Sequence, residues 1–103
     1  MFVIVIPIER AIRQLGSDLR IARIRRRIPV AVLAERASMS RATLQKIEHG
    51  NSGVALKHYV AVLFSLGMIG RLKDLADPRE DELGREMEEE QLPQRIRMRK
   101  KGE

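Results

Sequence analysis

Residues 37–50 read ASMSRATLQKIEHG, and this stretch predicts a short helix with a polar outer face. Ser40 is a preferred N-cap residue, because its side-chain oxygen can accept a hydrogen bond from an amide of the first turn. Gly50 is typical of the position that follows a last helical turn. Leu44 and Ile47 share one side of such a helix, so that side is expected to face a core. The opposite side is then exposed.

A second short helix is predicted immediately before it, over residues 29–37. Pro29 suits the first turn of a helix, where a missing N–H costs nothing. Ser38-Met39 is then the turn between the two helices. Ala34 and Ala37 are small, which allows the helices to cross closely. Two short helices joined by a tight turn form a helix-turn-helix pattern, whose second helix can lie in the major groove of DNA.

The predicted outer face of the second of these helices carries Arg41, Thr43, Gln45 and Lys46. Free amides at a helix N-terminus can bind a phosphate, and Ser40 lies among them. Arginine donates two hydrogen bonds to guanine, worth about 1–3 kcal/mol of discrimination. We therefore interpret this helix as one whose exposed face enters a DNA groove, with Arg41 and Thr43 placed to reach base edges.

The flanking sequence predicts three further helices. Apolar residues over 8–27 recur in steps of three and four, which predicts a first helix that bends or breaks at Gly16 or Ser17. A fourth helix, over about residues 56–66, is apolar around most of its circumference. Such a helix is either central in a bundle or part of a dimer interface. A fifth is expected over about residues 70–76.

Both ends of the chain differ from this helical body. The run FVIVI at residues 2–6 is β-prone and predicts a strand-like leader, although a lone strand needs a partner. Residues 94–101 alternate basic and apolar side chains, a period that suits a strand. The predicted divisions are a leader (1–7), a helix-turn-helix domain (8–76) and an acidic-then-basic C-terminal extension (77–103).

Charge is distributed unevenly along the chain. Residues 1–76 carry 13 Lys and Arg against 5 Asp and Glu, residues 77–92 carry 2 against 8, and residues 93–103 carry 5 against 1. A basic body indicates a polyanionic partner, and double-stranded DNA is the partner that the helix-turn-helix pattern favours. The alternative is a basic helical domain that binds no anion.

The composition also bears on compartment and catalysis. The chain has no cysteine, which favours a reducing, cytoplasmic setting and excludes a thiolate metal site. The apolar run at residues 2–6 is stopped by Pro7, so it is too short for a signal peptide or a membrane span. No catalytic triad, phosphate loop or metal-ligand spacing is present, and we expect no enzyme activity, no cofactor and no metal. His49 and His58 are expected at the surface.

Residues 19–67, about half of the chain, resemble the Cro/C1-type (XRE) helix-turn-helix family. The matching residues are Leu33-Ala34-Glu35, Ala37, Ser40, Thr43-Leu44, Ile47-Glu48, Gly50 and Leu66-Gly67. The resemblance implies an all-α, five-helix, lambda repressor-like DNA-binding domain. It implies base contacts from Arg41, Ala42, Thr43 and Lys46, phosphate contacts from Ser40 and the loop near Asn51, and an internal ion pair of Arg23 with Glu48.

The sequence departs from this family where the second helix begins. Many members have Thr-Gln there, the Gln holding a phosphate or a base, whereas this chain has Pro29-Val30. Val30 cannot form that hydrogen bond, so we expect compensating DNA contacts from Arg25, Arg26 and Arg27. Alternatively, these arginines only complement the negative end of the first helix dipole.

Residues 53–67 and 81–97 look similar to HipB-like antitoxin regulators, which are encoded beside HipA-type kinases. That resemblance implies a homodimer that represses its own operon at an inverted-repeat operator and binds a HipA-type kinase toxin. A dimer is also expected because one helix reads only a few base pairs. The alternatives are a phage-type Cro/C1 repressor, a restriction-modification controller, or a module that binds only protein.

Overall fold

A computed structural model of the chain describes residues 2–91, with side chains from residue 5 onward. This part of the chain is helical and contains no strand. Its elements are α1 (Phe2–Arg25), α2 (Val30–Arg36), α3 (Arg41–Glu48), α4 (Leu56–Ser65), α5 (Ile69–Lys73), a 3-10 helix (Pro78–Glu80) and further helical residues at 82–91. The predicted all-α class is confirmed, and the predicted count of five helices omits the turns beyond residue 77.

These residues form two compact units, and the boundary between the units lies between Leu72 and Lys73. The core of the first unit is aliphatic apart from Tyr59 and is built by α1, α2, α3 and α4. Its fully buried side chains are Leu19, Leu33, Leu44, Ile47 and Val62. Full burial of one such side chain contributes about 1.5–3 kcal/mol. Because α2 and α3 are only 7 and 8 residues long, their helical form depends on this packing.

A residue in the left-handed region follows each of the first four helices. These residues are Arg27 (φ 55°), Ser38 (φ 56°), Gly50 (φ 73°) and Gly67 (φ 77°). In each case the amide of the next residue reaches a carbonyl of the last helical turn, as Met39 does to Ala34 at 2.9 Å and Met68 to Leu63 at 2.8 Å. Gly50 and Gly67 make two of these helix ends predictable from the sequence. Arg27 and Ser38 do not, because neither residue type is typical of the left-handed region.

The N-terminal leader is helical, so the strand prediction is wrong. Residues 2–6 form the start of α1, and Pro7 lies inside that helix. The β-branched run favours a strand only where a neighbouring strand can pair with it, and residues 2–91 offer none. Val5, Ile6 and Ile8 are exposed on this part of α1.

Two further predictions about helix limits need correction. α1 continues without interruption through Gly16 and Ser17, where a bend or break was expected. Gly16 instead allows the backbone of α3 to approach α1 closely. α5 covers Ile69–Lys73 rather than residues 70–76.

None of the helices in the described part of the chain is long and apolar enough to cross a membrane.

The second unit begins with two side-chain caps. Asp77 accepts a hydrogen bond from the Arg79 amide at 2.9 Å and pairs with the Arg79 guanidinium at 2.9 Å, which lowers the pKa of the Asp77 carboxyl. Asp81 accepts from the Gly84 amide at 2.9 Å and so caps the helical residues at 82–91. The predicted basic strand at 94–101 lies outside the described residues.

Candidate nucleic-acid interface

The N-terminus of α3 is fixed by Ser40, as the sequence predicts. The Thr43 amide donates to Ser40 Oγ at 3.1 Å, and the Ser40 hydroxyl donates to Thr43 Oγ1 at 3.0 Å. Both roles of the Ser40 hydroxyl are therefore occupied within the protein. The backbone amide of Ser40 is free to donate to a phosphate, beside the amides of Arg41 and Ala42, which have no acceptor in the helix.

The two sides of α3 differ in the way the sequence predicts. Leu44 and Ile47 are fully buried, and the side chains turned outward are exposed or, for Thr43, half-buried. The exposed set is Arg41, Ala42, Gln45 and Lys46. Within the described part of the chain, neither Arg41 nor Lys46 takes part in an ion pair. Their charges are available to an external anion.

Arg23 and Glu48 form a two-point ion pair between α1 and the end of α3. Arg23 Nε donates to Glu48 Oε2 at 2.7 Å and Nη2 donates to Oε1 at 3.0 Å. The two side chains are 11% and 6% exposed. The hydrogen bond to Glu48 raises the pKa of Arg23 against the opposing effect of burial. Both oxygens of the carboxylate are occupied, which gives Glu48 a structural role.

The three arginines at the end of α1 are not equivalent. Arg26 Nε donates to the Leu66 carbonyl at 3.1 Å and Nη1 donates to the Ala22 carbonyl at 2.9 Å. Its guanidinium therefore joins the ends of α1 and α4, a structural role that the run of arginines did not reveal. All three residues are exposed, and the difference lies in the hydrogen bonds that Arg26 forms.

The backbones of α1 and α3 are in direct contact beside the outer face of α3. A Cβ atom on Gly16 would collide with the carbonyl oxygen of Ile47 and lie 2.8 Å from the Gly50 nitrogen. A Cβ on Gly50 would in turn collide with the backbone of Arg13. The glycine pair thus sets the distance between the two helices and brings Arg13 to the C-terminal end of α3.

A cleft of about 600 Å³ opens next to this contact. The N-terminal half of α1, the outer face of α3 and the loop after α3 form its walls. The lining residues are Glu9, Arg13, Ala42, Gln45, Lys46, His49, Gly50, Asn51 and Ser52. The cleft is therefore continuous with the exposed face of the helix-turn-helix pair.

Hydrogen bonds inside the cleft fix several of its polar groups. Ser52 Oγ donates to Glu9 Oε1 at 2.9 Å, and Asn51 Oδ1 accepts from the Gly53 amide at 2.7 Å. The Asn51 NH₂ group has no acceptor among the described residues, so it is left to donate to an external group. His49 Nδ1 donates to the Gln45 carbonyl at 2.6 Å, so Nε2 is the nitrogen left for an external group.

The structure brings four of the predicted contact residues into the cleft, namely Ala42, Gln45, Lys46 and Asn51. Arg41 belongs to the first turn of the same helix, while Arg25 and Arg27 do not line the cleft. The sequence patterns missed Glu9, Arg13, His49 and Ser52 as lining residues. The signal that could have found them is Gly16, because a glycine has no Cβ and so allows another backbone to approach the helix closely.

The sequence profile of one protein family, described as a helix-turn-helix domain, matches residues 14–75 of the chain. The matched residues contain α2, α3, α4 and α5 entire, together with the second half of α1. The chain matches no curated protein and no solved structure. The match thus covers both helices of the predicted pair and most of the cleft.

Proposed function

The chain belongs to the helix-turn-helix domain family, of the XRE/Cro-C1 type, and on this premise we propose that it is a transcriptional repressor that binds an inverted-repeat operator. The outer face of α3 carries this proposal. Arg41, Gln45 and Lys46 are exposed there, above the buried Leu44 and Ile47. Side chains of this kind can donate to base edges, while a core behind the helix holds them in position.

In this proposal the first turn of α3 reads bases. Arg41 donates two hydrogen bonds to guanine O6 and N7, and Ala42 and Thr43 contact neighbouring bases. The Thr43 hydroxyl accepts from Ser40 at 3.0 Å, so its own proton remains available to a base acceptor. Free amides at Ser40, Arg41 and Ala42 donate to a phosphate. Arg25, Arg26 and Arg27 add long-range attraction, and Arg26 keeps its positive charge although its guanidinium also donates to two carbonyls.

The decisive experiment is a titration of the full chain with a duplex that carries the inverted repeat upstream of its gene. A scrambled duplex of the same length is the control. We expect tighter binding to the operator, with an affinity that falls steeply as salt increases, because bound phosphates release counterions. Equal, salt-insensitive binding to both duplexes would contradict the repressor proposal.

We expect Arg41→Ala to reduce the preference for the operator over the scrambled duplex by about 1–3 kcal/mol. The physical reason is the loss of two hydrogen bonds to a guanine. Competition binding with both duplexes measures the preference, and Arg71→Ala, an exposed arginine of α5, is the matched control. An equal loss of affinity for both duplexes would instead assign Arg41 to a phosphate.

A homodimer is part of the same proposal, since an inverted repeat presents two equivalent half-sites. α4 supports it with an apolar stripe in steps of four residues. Leu56 and Phe64 at its ends are 68% and 67% exposed, and Val60 between them is half-buried. Sedimentation at micromolar concentration tests this point. A dimer that Phe64→Ser converts to monomer is expected, whereas a monomeric wild type would contradict it.

The antitoxin role is the finer form of the proposal. Its support is the resemblance to HipB-like regulators and an exposed acidic surface at Glu88, Glu89 and Glu90, which a basic partner could bind. Co-purification of the full chain with the adjacent gene product tests it, with the three glutamates changed to glutamine as comparison. An adjacent integrase or methylase gene would favour the phage-type repressor or the restriction-modification controller instead.

We also propose that the chain has no catalytic role. The groups near α3 that could serve as acid or base already have partners in the protein, and Glu9 accepts from Ser52 at 2.9 Å. Glu48 is bound at both oxygens by Arg23, and His49 donates to a main-chain carbonyl. Repression by the chain then rests on occupancy of the operator alone.

A further inference from the structure

We propose that Arg13, on α1, is a phosphate-binding residue that holds the DNA strand beside the C-terminal half of α3. This inference rests on the proposed function and extends the DNA-binding surface beyond the helix-turn-helix pair. Arg13 lies in α1, outside the pair of helices that supplies the proposed base contacts.

The position of Arg13 follows from the contact between α1 and α3. Gly16 touches the main chain at Ile47 and Gly50, and Arg13 precedes Gly16 by three residues. Residues three apart share one face of a helix, so Arg13 lies on the side of α1 that faces α3. The main chain of Arg13 itself touches Gly50. The Arg13 side chain therefore begins beside the C-terminal end of α3 and lines the cleft there.

The cleft supplies the donors that a phosphate needs. Arg13 and Lys46 contribute two positive charges, and the NH₂ group of Asn51 is left to donate. Arginine suits this role because its planar guanidinium can donate two parallel hydrogen bonds to a phosphate. Within the described part of the chain, Arg13 takes part in no ion pair.

The expected ligand is the backbone of a duplex, because the cleft is continuous with the base-reading face. Ala42, Gln45 and Lys46 belong to both surfaces. A helix of 8 residues spans about 12 Å, and the major groove that would receive it is about 12 Å wide with phosphates along both edges. With α3 in the major groove, one of the two phosphate edges of the groove therefore lies next to Arg13.

Among the described residues that line the cleft, Glu9 is the one carboxylate. Glu9 accepts a hydrogen bond from Ser52 at 2.9 Å. The pKa of Tyr59 is raised mainly by the burial of its side chain and further by the negative charge of Glu9. Tyr59 in turn donates to the Asn51 carbonyl at 2.7 Å. These contacts hold the carboxylate at the loop end of the cleft, where it weakens the attraction for phosphate at Arg13.

The test uses Arg13→Gln in the full chain, which removes the charge and keeps the aliphatic stem that packs against Gly50. At about 0.1 M salt we expect about tenfold weaker binding to operator and scrambled duplex alike, and a salt slope reduced by about 0.9. Arg13→Lys is expected to keep the slope. Arg71→Ala, which removes one exposed charge outside the cleft, is the control and should leave the slope unchanged.

Glu9→Gln provides an independent arm of the test. Glutamine can still accept from Ser52, while the repulsion of a nearby phosphate is lost, so about threefold tighter binding to both duplexes is expected. A weaker Glu9→Gln complex would contradict the proposed position of the phosphate.

The outcomes separate this inference from the proposed function. If the wild type binds its operator and Arg13→Gln matches it in affinity and slope, only the role of Arg13 is wrong. A loss confined to the operator would also overturn that role, because it would indicate a base contact. If the wild type binds no duplex, the proposed function itself fails. Circular dichroism of each variant verifies that the helix content is unchanged.

Discussion

Gly16→Ala is expected to lower the free energy of unfolding by about 3 kcal/mol, although alanine is the better helix former. On an isolated helix this substitution would stabilise by about 1 kcal/mol. Here the added Cβ would collide with the carbonyl oxygen of Ile47, which is main chain and cannot rotate away. The contact between α1 and α3 must therefore open, and the buried surface around Leu19 and Leu44 is packed less well.

Gly70→Ala is the matched control. Gly70 lies within α5, and a Cβ there would meet no atom within 4 Å. Without a collision, the helix propensity of alanine should dominate and raise stability by about 0.5–1 kcal/mol. Urea unfolding followed by circular dichroism gives both values. If the two variants shift stability in the same direction, the steric explanation for Gly16 is wrong.

The parts of the fold that were predictable from sequence depend on local signals. Ser40 is the N-cap of α3, and the spacing of Leu44 and Ile47 identifies its buried side. Pro29 and Gly50 bound the helix-turn-helix pair within one or two residues. Each of these signals acts through the residue itself and its neighbours within one helical turn.

The parts that sequence patterns missed depend on distant contacts. The strand-prone run at residues 2–6 is helical because the described chain offers no strand to pair with. Gly16 reads as a weak point of α1 until α3 is placed against it. The run of arginines predicts a DNA contact or a dipole interaction for Arg26, but it does not reveal the hydrogen bond to Leu66, 40 residues away. The walls of the cleft join residues from α1 and the loop after α3, a juxtaposition that no local period can reveal.

The ion pair between Arg23 and Glu48 allows a second large effect to be measured. Arg23→Met is expected to lower the free energy of unfolding by about 3–5 kcal/mol, because it leaves a carboxylate that is 6% exposed without its partner. The variant also removes the donor that Arg23 Nη1 offers to the Ile28 carbonyl at 3.0 Å, a bond worth about 1 kcal/mol.

The double variant Arg23→Met with Glu48→Met distinguishes the two contributions. Two apolar side chains of similar volume remove the unpaired charge, so we expect stability to return to within about 1–2 kcal/mol of the wild type. The single variant Glu48→Met completes a double-mutant cycle, and the effect of the double variant minus the sum of the two single effects gives a coupling energy of about 2 kcal/mol or more. Strictly additive effects would show that the pair contributes little beyond packing.

The pH at which the cycle is measured matters little on the alkaline side. The pKa of Arg23 is raised in the folded chain by its hydrogen bond to Glu48, so its contribution is complete below the unfolded pKa and is lost only as pH rises through the higher, folded value. The coupling should therefore be equal at about pH 7 and about pH 9. The pair also joins α1 to the end of α3, because Glu48 is the last residue of that helix. At temperatures where Arg23→Met and Gly70→Ala are both folded, we therefore expect Arg23→Met to weaken binding to the proposed operator more than Gly70→Ala does.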